Sequence, residues 1–237
     1  MRYNNIVRAT FAERLNRFVA IVELDGRRET VHVKNTGRCR ELLIPGSDVY
    51  LTAPGTEGRK LKYDLVAVRT SDGRLVNIDS MAPNKAMAEW LSTQPFSYVK
   101  PEFRFGTSRI DFMAEYQPGA PRRLLMEVKG CTLEINGKGY FPDAPTIRGA
   151  RHLYELTEAL SLGYDSVLAF VIQMEGVREV LPNTGTDPEF AKALSEATNA
   201  GVRQINFTCR VEPDCLEITG FCPPGLTPCL NADNPKV

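Results

Sequence analysis

The chain has little histidine and no run of apolar residues that could cross a bilayer. Its two histidines, His32 and His152, are too few for an imidazole-rich metal centre. No stretch approaches the roughly 20 apolar residues that a transmembrane helix needs. The opening Met-Arg-Tyr-Asn-Asn lacks the apolar core of a secretory signal, so a cytoplasmic location is the expectation. Six cysteines are present, but no two form a C-x-x-C pair, and the spacing of Cys209, Cys215, Cys222 and Cys229 matches no common zinc pattern. Cytosolic thiols are normally reduced, so Cys209 and Cys215 are expected as small hydrophobes within strands. No internal repeat is present. Net charge is also absent: 29 Lys and Arg balance 29 Asp and Glu.

That balance is uneven along the chain. Residues 1–80 carry 14 Lys and Arg against 10 Asp and Glu, whereas residues 181–237 carry 4 against 7. A basic front end suits a polyanion, and it equally suits a solvated surface with scattered arginines.

The first 80 residues read as all-β. Strand-like runs at 7–11, 18–24, 30–33, 44–51, 63–69 and 75–78 are punctuated by Asp25-Gly26, Pro45-Gly46 and Asp72-Gly73. Short strands at this density predict a small barrel of OB type, an architecture that often binds single-stranded nucleic acid. Between them lies Asn35-Thr36-Gly37-Arg38-Cys39-Arg40-Glu41-Leu42, which is either a phosphate-contacting loop or a capped turn entering a short helix. Pro83 marks a boundary, Asn84 is a candidate cap, and 85–91 is helix-forming with Trp90 and Leu91 toward the core.

The second half predicts a mixed α/β layer. A helix spans about Asp143 or Thr146 to Leu162, with Ala150, Leu153, Leu156, Thr157 and Leu160 as its buried stripe. Arg148 and His152, four apart, share another face and suit either phosphate contact or solvent. Ser166–Ile172 is a continuous apolar run, as expected for a central strand. Pro188–Ala200 is a second helix closed by Gly201, and strands follow at 202–207 and 215–219. From Pro223 the chain is a Pro-rich tail.

The most informative stretch is Ser108–Phe112 followed by Leu124–Gly130. It reads as two strands joined through Gln117–Pro121, one carrying Asp111 in an apolar setting, the other carrying Glu127-x-Lys129. Alternation puts Glu127 and Lys129 on one face and Met126 and Val128 on the other. Two carboxylates and a lysine on adjacent strands can hold Mg²⁺, or Mn²⁺, which keeps several waters and needs few protein oxygens. Such an ion supplies what phosphodiester hydrolysis requires. Glu-x-Lys alone occurs by chance about once in a chain of this size; Asp111 strengthens it, because a carboxylate in an apolar strand needs a partner. The competing reading is a cross-strand Asp111–Lys129 ion pair. Glu102 and Glu89 are further candidate acids.

Four segments carry a resemblance to a known family: His32–Arg38 with Glu41-Leu42, Thr107–Phe112, Glu127–Leu133 and Phe141–Leu156. In this order they resemble the sugar fermentation stimulation protein (SfsA) family. The resemblance implies an N-terminal OB-like barrel and a C-terminal PD-(D/E)xK restriction-endonuclease-like α/β domain; with the boundary at Pro83 and the Pro-rich tail from Pro223, these are expected over 1–82 and 83–222, with the tail over 223–237. It places Asp111, Glu127 and Lys129 at the catalytic positions, with Asp111 and Glu127 as metal ligands and Glu102 as an extra acid. It implies DNA as partner, single- or double-stranded, and a link to regulation of sugar metabolism. Lys34, Asn35, Arg38, Arg40, Arg109, Arg148 and His152 are the expected nucleic-acid contacts. A DNA-binding regulator without turnover, and a protein-interaction module, are the other functions compatible with these residues. The last strands and the tail fit the family poorly.

Overall fold

The computed structural model describes residues 1–35, 37–55, 58–118 and 122–222. Part of the predicted 117–121 loop, Cys229 and the tail lie outside them. The elements run β1 (Ile6–Arg14), β2 (Val19–Leu24), β3 (Arg27–Val33), β4 (Asp48–Thr52), β5 (Asp64–Arg69), β6 (Leu75–Asn77), α1 (Ala82–Ser92), β7 (Tyr98–Phe105), β8 (Ser108–Glu115), β9 (Arg123–Cys131), β10 (Leu133–Ile135), β11 (Lys138–Phe141), α2 (Ile147–Ser161), β12 (Asp165–Ile172), β13 (Val180–Pro182), α3 (Pro188–Ala200), β14 (Arg203–Glu212) and β15 (Cys215–Cys222).

The first six strands form one sheet in the order β3-β2-β1-β4-β5-β6. Parallel pairing of His32 with Asp64 and of Val33 with Leu65 joins β3 to β5 and closes the sheet on itself. Closure removes the exposed edges of an open sheet. The β2–β3 turn needs positive φ at both central residues; Asp25 takes 51° and Gly26 takes 72°. The β3–β4 connection makes no helix. Among its described residues the Leu42 and Leu43 amides both donate to the Cys39 carbonyl and the Ser47 amide closes a further turn on the Ile44 carbonyl, and Pro45 prevents a helix from propagating.

The remaining large sheet has the order β15-β14-β12-β9-β8-β7. β12 pairs in parallel with β9 and β14, while the outer strands pair antiparallel. All of β12 beyond Asp165 is buried, as its unbroken apolar run requires. Side-chain alternation sorts the sheet's two faces. Leu124, Met126 and Val128 pack with α1 residues Ala86, Met87 and Leu91, whereas Leu125, Leu168 and Phe170 pack with α2 and α3. Trp90 is half-buried, edge-on to Phe207 at 4.9 Å between centroids. A third, small sheet, β10-β11-β13, lies beside α3 and has no counterpart in the sequence reading.

Helix starts differ from the expected ones. α1 begins at Ala82 after Met81, with Pro83 in its first turn, where no amide donor is needed; Asn84 is therefore not a cap. α2 begins at Ile147, with Thr146 as the cap that accepts the Gly149 amide at 3.0 Å. Asp187 caps α3 and also accepts the Thr146 amide at 2.7 Å, which ties the two helix starts together. Cys39, Cys131, Cys209 and Cys215 are buried free thiols. Among the described residues no helix is long and apolar enough to cross a membrane.

The barrel and the large sheet are joined through Gln173, at the end of β12. Its side-chain amide donates to the Asn77 carbonyl and Oδ1 at 3.0 Å and to the Asp79 carbonyl at 3.1 Å. Its backbone accepts the Asn77 amide at 2.9 Å.

Candidate metal centre and nucleic-acid interface

β8 and β9 pair from Glu115 and Arg123 as far as Phe112 and Met126, and there the ladder stops. Beyond it a side chain replaces the missing rung: Asp111 Oδ2 accepts the Val128 amide at 2.8 Å. Asp111 Oδ1 accepts from Asn84 Nδ2 at 2.7 Å. β9 meanwhile stays paired to β12, Glu127 opposite Leu168. The opening between the strands is a cavity of about 380 Å³ whose walls include Asn35, Asn84, Asp111, Glu127, Lys129, Asp143 and Arg148.

Glu127 and Lys129 share a face, as alternation predicts, and that face looks toward α2. Lys129 Nζ donates to Glu127 Oε1 at 2.5 Å. The competing Asp111–Lys129 ion pair is therefore not the one formed; Lys129 pairs with Glu127. His152, on α2, meets the same Glu127 oxygen through Nδ1, while its Nε2 accepts from Arg148 Nε at 3.3 Å. That arrangement puts the ring proton of a neutral imidazole on Nδ1, donating to Glu127. With 1 % exposure His152 is neither on a solvated face nor placed to touch a phosphate directly; Arg148 remains at the cavity wall. Sequence periodicity could not show this, because helical spacing says which residues share a face but not what that face meets.

Two carboxylate oxygens here are buried with no hydrogen-bond partner among the described residues: Glu127 Oε2 and Asp143 Oδ2. The charges are set in opposite directions. Burial, with the Glu127 charge second, raises the Asp111 carboxyl above the ordinary carboxylate range, and the Val128 amide only partly offsets this. Burial also pushes Glu127 up, but the Lys129 charge and the His152 hydrogen bond outweigh it and hold Glu127 below that range. Asp143 is raised by burial, against its own amide and that of Arg38.

The other expected residues divide. Glu102 stands opposite Asp111 in the β7–β8 register, at φ 51°, but its side chain is 62 % exposed and faces Arg109 at 3.9 Å. Neither Glu102 nor Arg109 lines the cavity; its third acid is Asp143, which the sequence shows only as the approach to a helix. Glu89 pairs with the Met1 amino group at 2.6 Å. Lys34 is committed to the fully buried Asp79 at 2.8 Å, so it is not a free phosphate contact. Asn35 lines the cavity and accepts the Gly37 amide at 2.6 Å. Arg38 and Arg40 open on the other side of Gly37. A Cβ at Gly37 would fall 2.0 Å from Asp143 Oδ2, so a larger residue here must displace the Asp143 carboxylate or move the loop.

A closed barrel docked on a mixed six-stranded sheet, with acids and a lysine gathered where two strands part, defines a two-part all-β and α/β protein. Comparisons place it further. A family profile described as "Sugar fermentation stimulation protein RE domain" matches residues 81–215, and another, "SfsA N-terminal OB domain", matches residues 12–78. The chain belongs to the sugar fermentation stimulation protein family. It is 46 % identical to a sugar fermentation stimulation protein homolog of Desulfitobacterium hafniense (strain Y51), over 93 % of this chain and 96 % of that one. It is 42 % identical to the homolog of Clostridium beijerinckii, over 93 % and 98 %. A solved structure described as Pyrococcus furiosus SfsA in complex with Ca²⁺ superposes with a TM-score of 0.80 at 29 % identity, covering 93 % of this chain and 96 % of that one.

Proposed function

We propose that the protein binds DNA and hydrolyses phosphodiester bonds with a divalent metal, Mg²⁺ or Mn²⁺, in the Asp111–Glu127–Lys129 cavity. One observation carries this reading: two carboxylates, pushed apart in acidity, face one cavity, and a buried Glu127 oxygen there has no donor. A buried anionic oxygen without a donor costs free energy that a cation recovers. The donors are all oxygen, as a hard cation prefers, and an ion that keeps its waters needs no third protein carboxylate. Among the described residues no group of three or more His, Cys, Asp or Glu is placed to hold a metal ion, so on this reading water and substrate would complete the coordination. The Ca²⁺ named for the Pyrococcus furiosus relative is a cation of the same oxygen-seeking class.

Asp111 and Glu127 would hold the ion, which when bound would polarise the phosphate and lower the pKa of a bound water. Lys129 sets a positive charge at the cavity where negative charge develops on the phosphate. His152 fixes the Glu127 carboxylate, and Arg148 offers a phosphate contact. On this reading the second half is a PD-(D/E)xK-type unit and the barrel holds the nucleic acid of a cytoplasmic protein.

A second reading, a DNA-binding regulator of sugar metabolism that does not turn over, is favoured by the contact that occupies Lys129 with Glu127. A magnesium-dependent nicking assay separates them. Cleavage by wild type that is lost in Asp111→Ala supports the enzyme. Salt-sensitive DNA binding that survives Asp111→Ala and Glu127→Ala, with no cleavage by wild type, supports the regulator.

A further inference from the structure

Beside the carboxylate cavity, across Gly37, lies a second cavity of about 460 Å³ whose walls carry four arginines: Arg14, Arg17, Arg38 and Arg40. Several other arginines of the barrel are spent on carboxylates, Arg8 on Asp48, Arg28 on Glu13 and Arg59 on Asp64, while Arg69 is spent on the Gly73 carbonyl and the Tyr50 hydroxyl. Among the described residues no ion pair engages Arg14, Arg17, Arg38 or Arg40.

Arg14 shows why the cavity keeps its shape. Its guanidinium donates to four backbone carbonyls, those of Asn16 (3.2 Å), Arg17 (2.7 Å), Asn35 (2.9 Å) and Arg38 (2.5 Å). It thereby stitches the β1–β2 loop to the β3–β4 loop, with Arg17 on the first and Arg38 and Arg40 on the second. Asp143 packs against the second loop, its Oδ2 lying 2.0 Å from where a Gly37 Cβ would stand. Carbonyl dipoles satisfy the hydrogen bonds of Arg14, and the Asp143 carboxylate acts on Arg14 and Arg38 only from beyond the cavity lining, without an ion pair among the described residues. Three exposed guanidinium groups around a fixed, carboxylate-free concavity are a recognition site for a phosphate group, which accepts several N–H donors at once.

We infer that this cavity is a phosphate-binding site for a nucleic-acid strand, with Arg17, Arg38 and Arg40 as the contacts and Arg14 as the brace of both loops. The site rests on the DNA-binding reading but not on catalysis. Its phosphate is either a strand terminus or an internal phosphodiester next to the one at the carboxylate cavity.

Fluorescence anisotropy tests it, using a 12-nucleotide DNA strand labelled at its 3′ end, with either a 5′-phosphate or a 5′-hydroxyl, in Ca²⁺. Arg17→Ala, Arg38→Ala and Arg40→Ala are each expected to weaken binding several-fold and to lower the log–log salt slope by about 0.7, the value for one phosphate contact on a single strand. A loss confined to the 5′-phosphorylated strand assigns the terminus, and an equal loss on both assigns the internal phosphate. Asp111→Ala should keep the full arginine dependence, since it removes only the neighbouring cavity. Unchanged affinity and salt slope in the folded triple variant, with wild type still binding DNA, overturn this site alone. No binding by wild type overturns it together with the DNA-binding reading.

Discussion

Asp111 accepts the backbone amide of Val128 at 2.8 Å, so one candidate ligand is hung from the strand that carries the other. The amide that loses its rung where β8 and β9 part is satisfied by a side chain, and the carboxylate is aimed in the same stroke. A buried donor left without this partner would cost about 1–3 kcal/mol.

Asp111→Asn is expected to stabilise the metal-free protein. The amide keeps the Val128 bond, and Asn84 can turn to face it. A carboxyl whose folded pKa lies above its unfolded value loses stability as pH rises from the unfolded value, about 3.9, through the raised folded one. The gain in melting temperature over wild type should therefore be small at acid pH and reach a few degrees, on the order of 2 °C, at neutral pH. Added Mn²⁺ should raise the melting temperature of wild type and not of the variant. A variant that melts below wild type at pH 7 without metal would count against the raised Asp111 pKa.

Glu127 carries the opposite sign. Its folded pKa is depressed, so the stability it contributes is present above the unfolded value and is lost as pH falls through the folded one. Glu127→Ala leaves Lys129 and the 1 %-exposed His152 without their anion. Urea denaturation at pH 7 should show a loss of about 3 kcal/mol, the usual cost of breaking a buried pair from one side. The difference from wild type should shrink at acid pH.

Gly37→Ala should separate binding from folding. The new methyl must displace Asp143 Oδ2 or move the loop, since Asn35 Oδ1 would also stand 2.8 Å away. The barrel core does not depend on this contact, so thermal melting should fall by a few degrees at most, about 4 °C. DNA affinity, measured by anisotropy, should fall further than for any single arginine substitution, because all the loop's contacts move together.

Thr146→Ala removes the side chain that caps α2. The expected cost is about 1 kcal/mol, seen in chemical denaturation. The Thr146 amide keeps its bond to Asp187, so α3 should remain capped and the unfolding transition should stay single.

Strand pattern made most of this legible. The six-strand barrel, the central strand at Ser166–Ile172 and the shared face of Glu127 and Lys129 all follow from alternation and turn residues, which act locally. What the sequence hid depends on meetings between distant segments. Asn84 reads as a helix cap because Asn often is one; its contact with Asp111 exists only once α1 lies over β8. Arg14 reads as one more surface charge, although its four carbonyl partners lie up to 24 residues away. His152 reads as half of a polar helix face because nothing local reveals that this face meets a carboxylate. The β10-β11-β13 sheet was hidden because strands of three or four residues carry too few alternations to stand out.

The Gln173 amide fills three barrel acceptors from the end of the central strand, and a Cβ at Gly130 would meet its Oε1 at 2.2 Å. The two halves thus share a tightly packed seam along one wall of the carboxylate cavity. On the proposed DNA-binding reading, a strand lying across such a seam would have to supply the compliance itself: the protein is the anvil, and the strand does the bending.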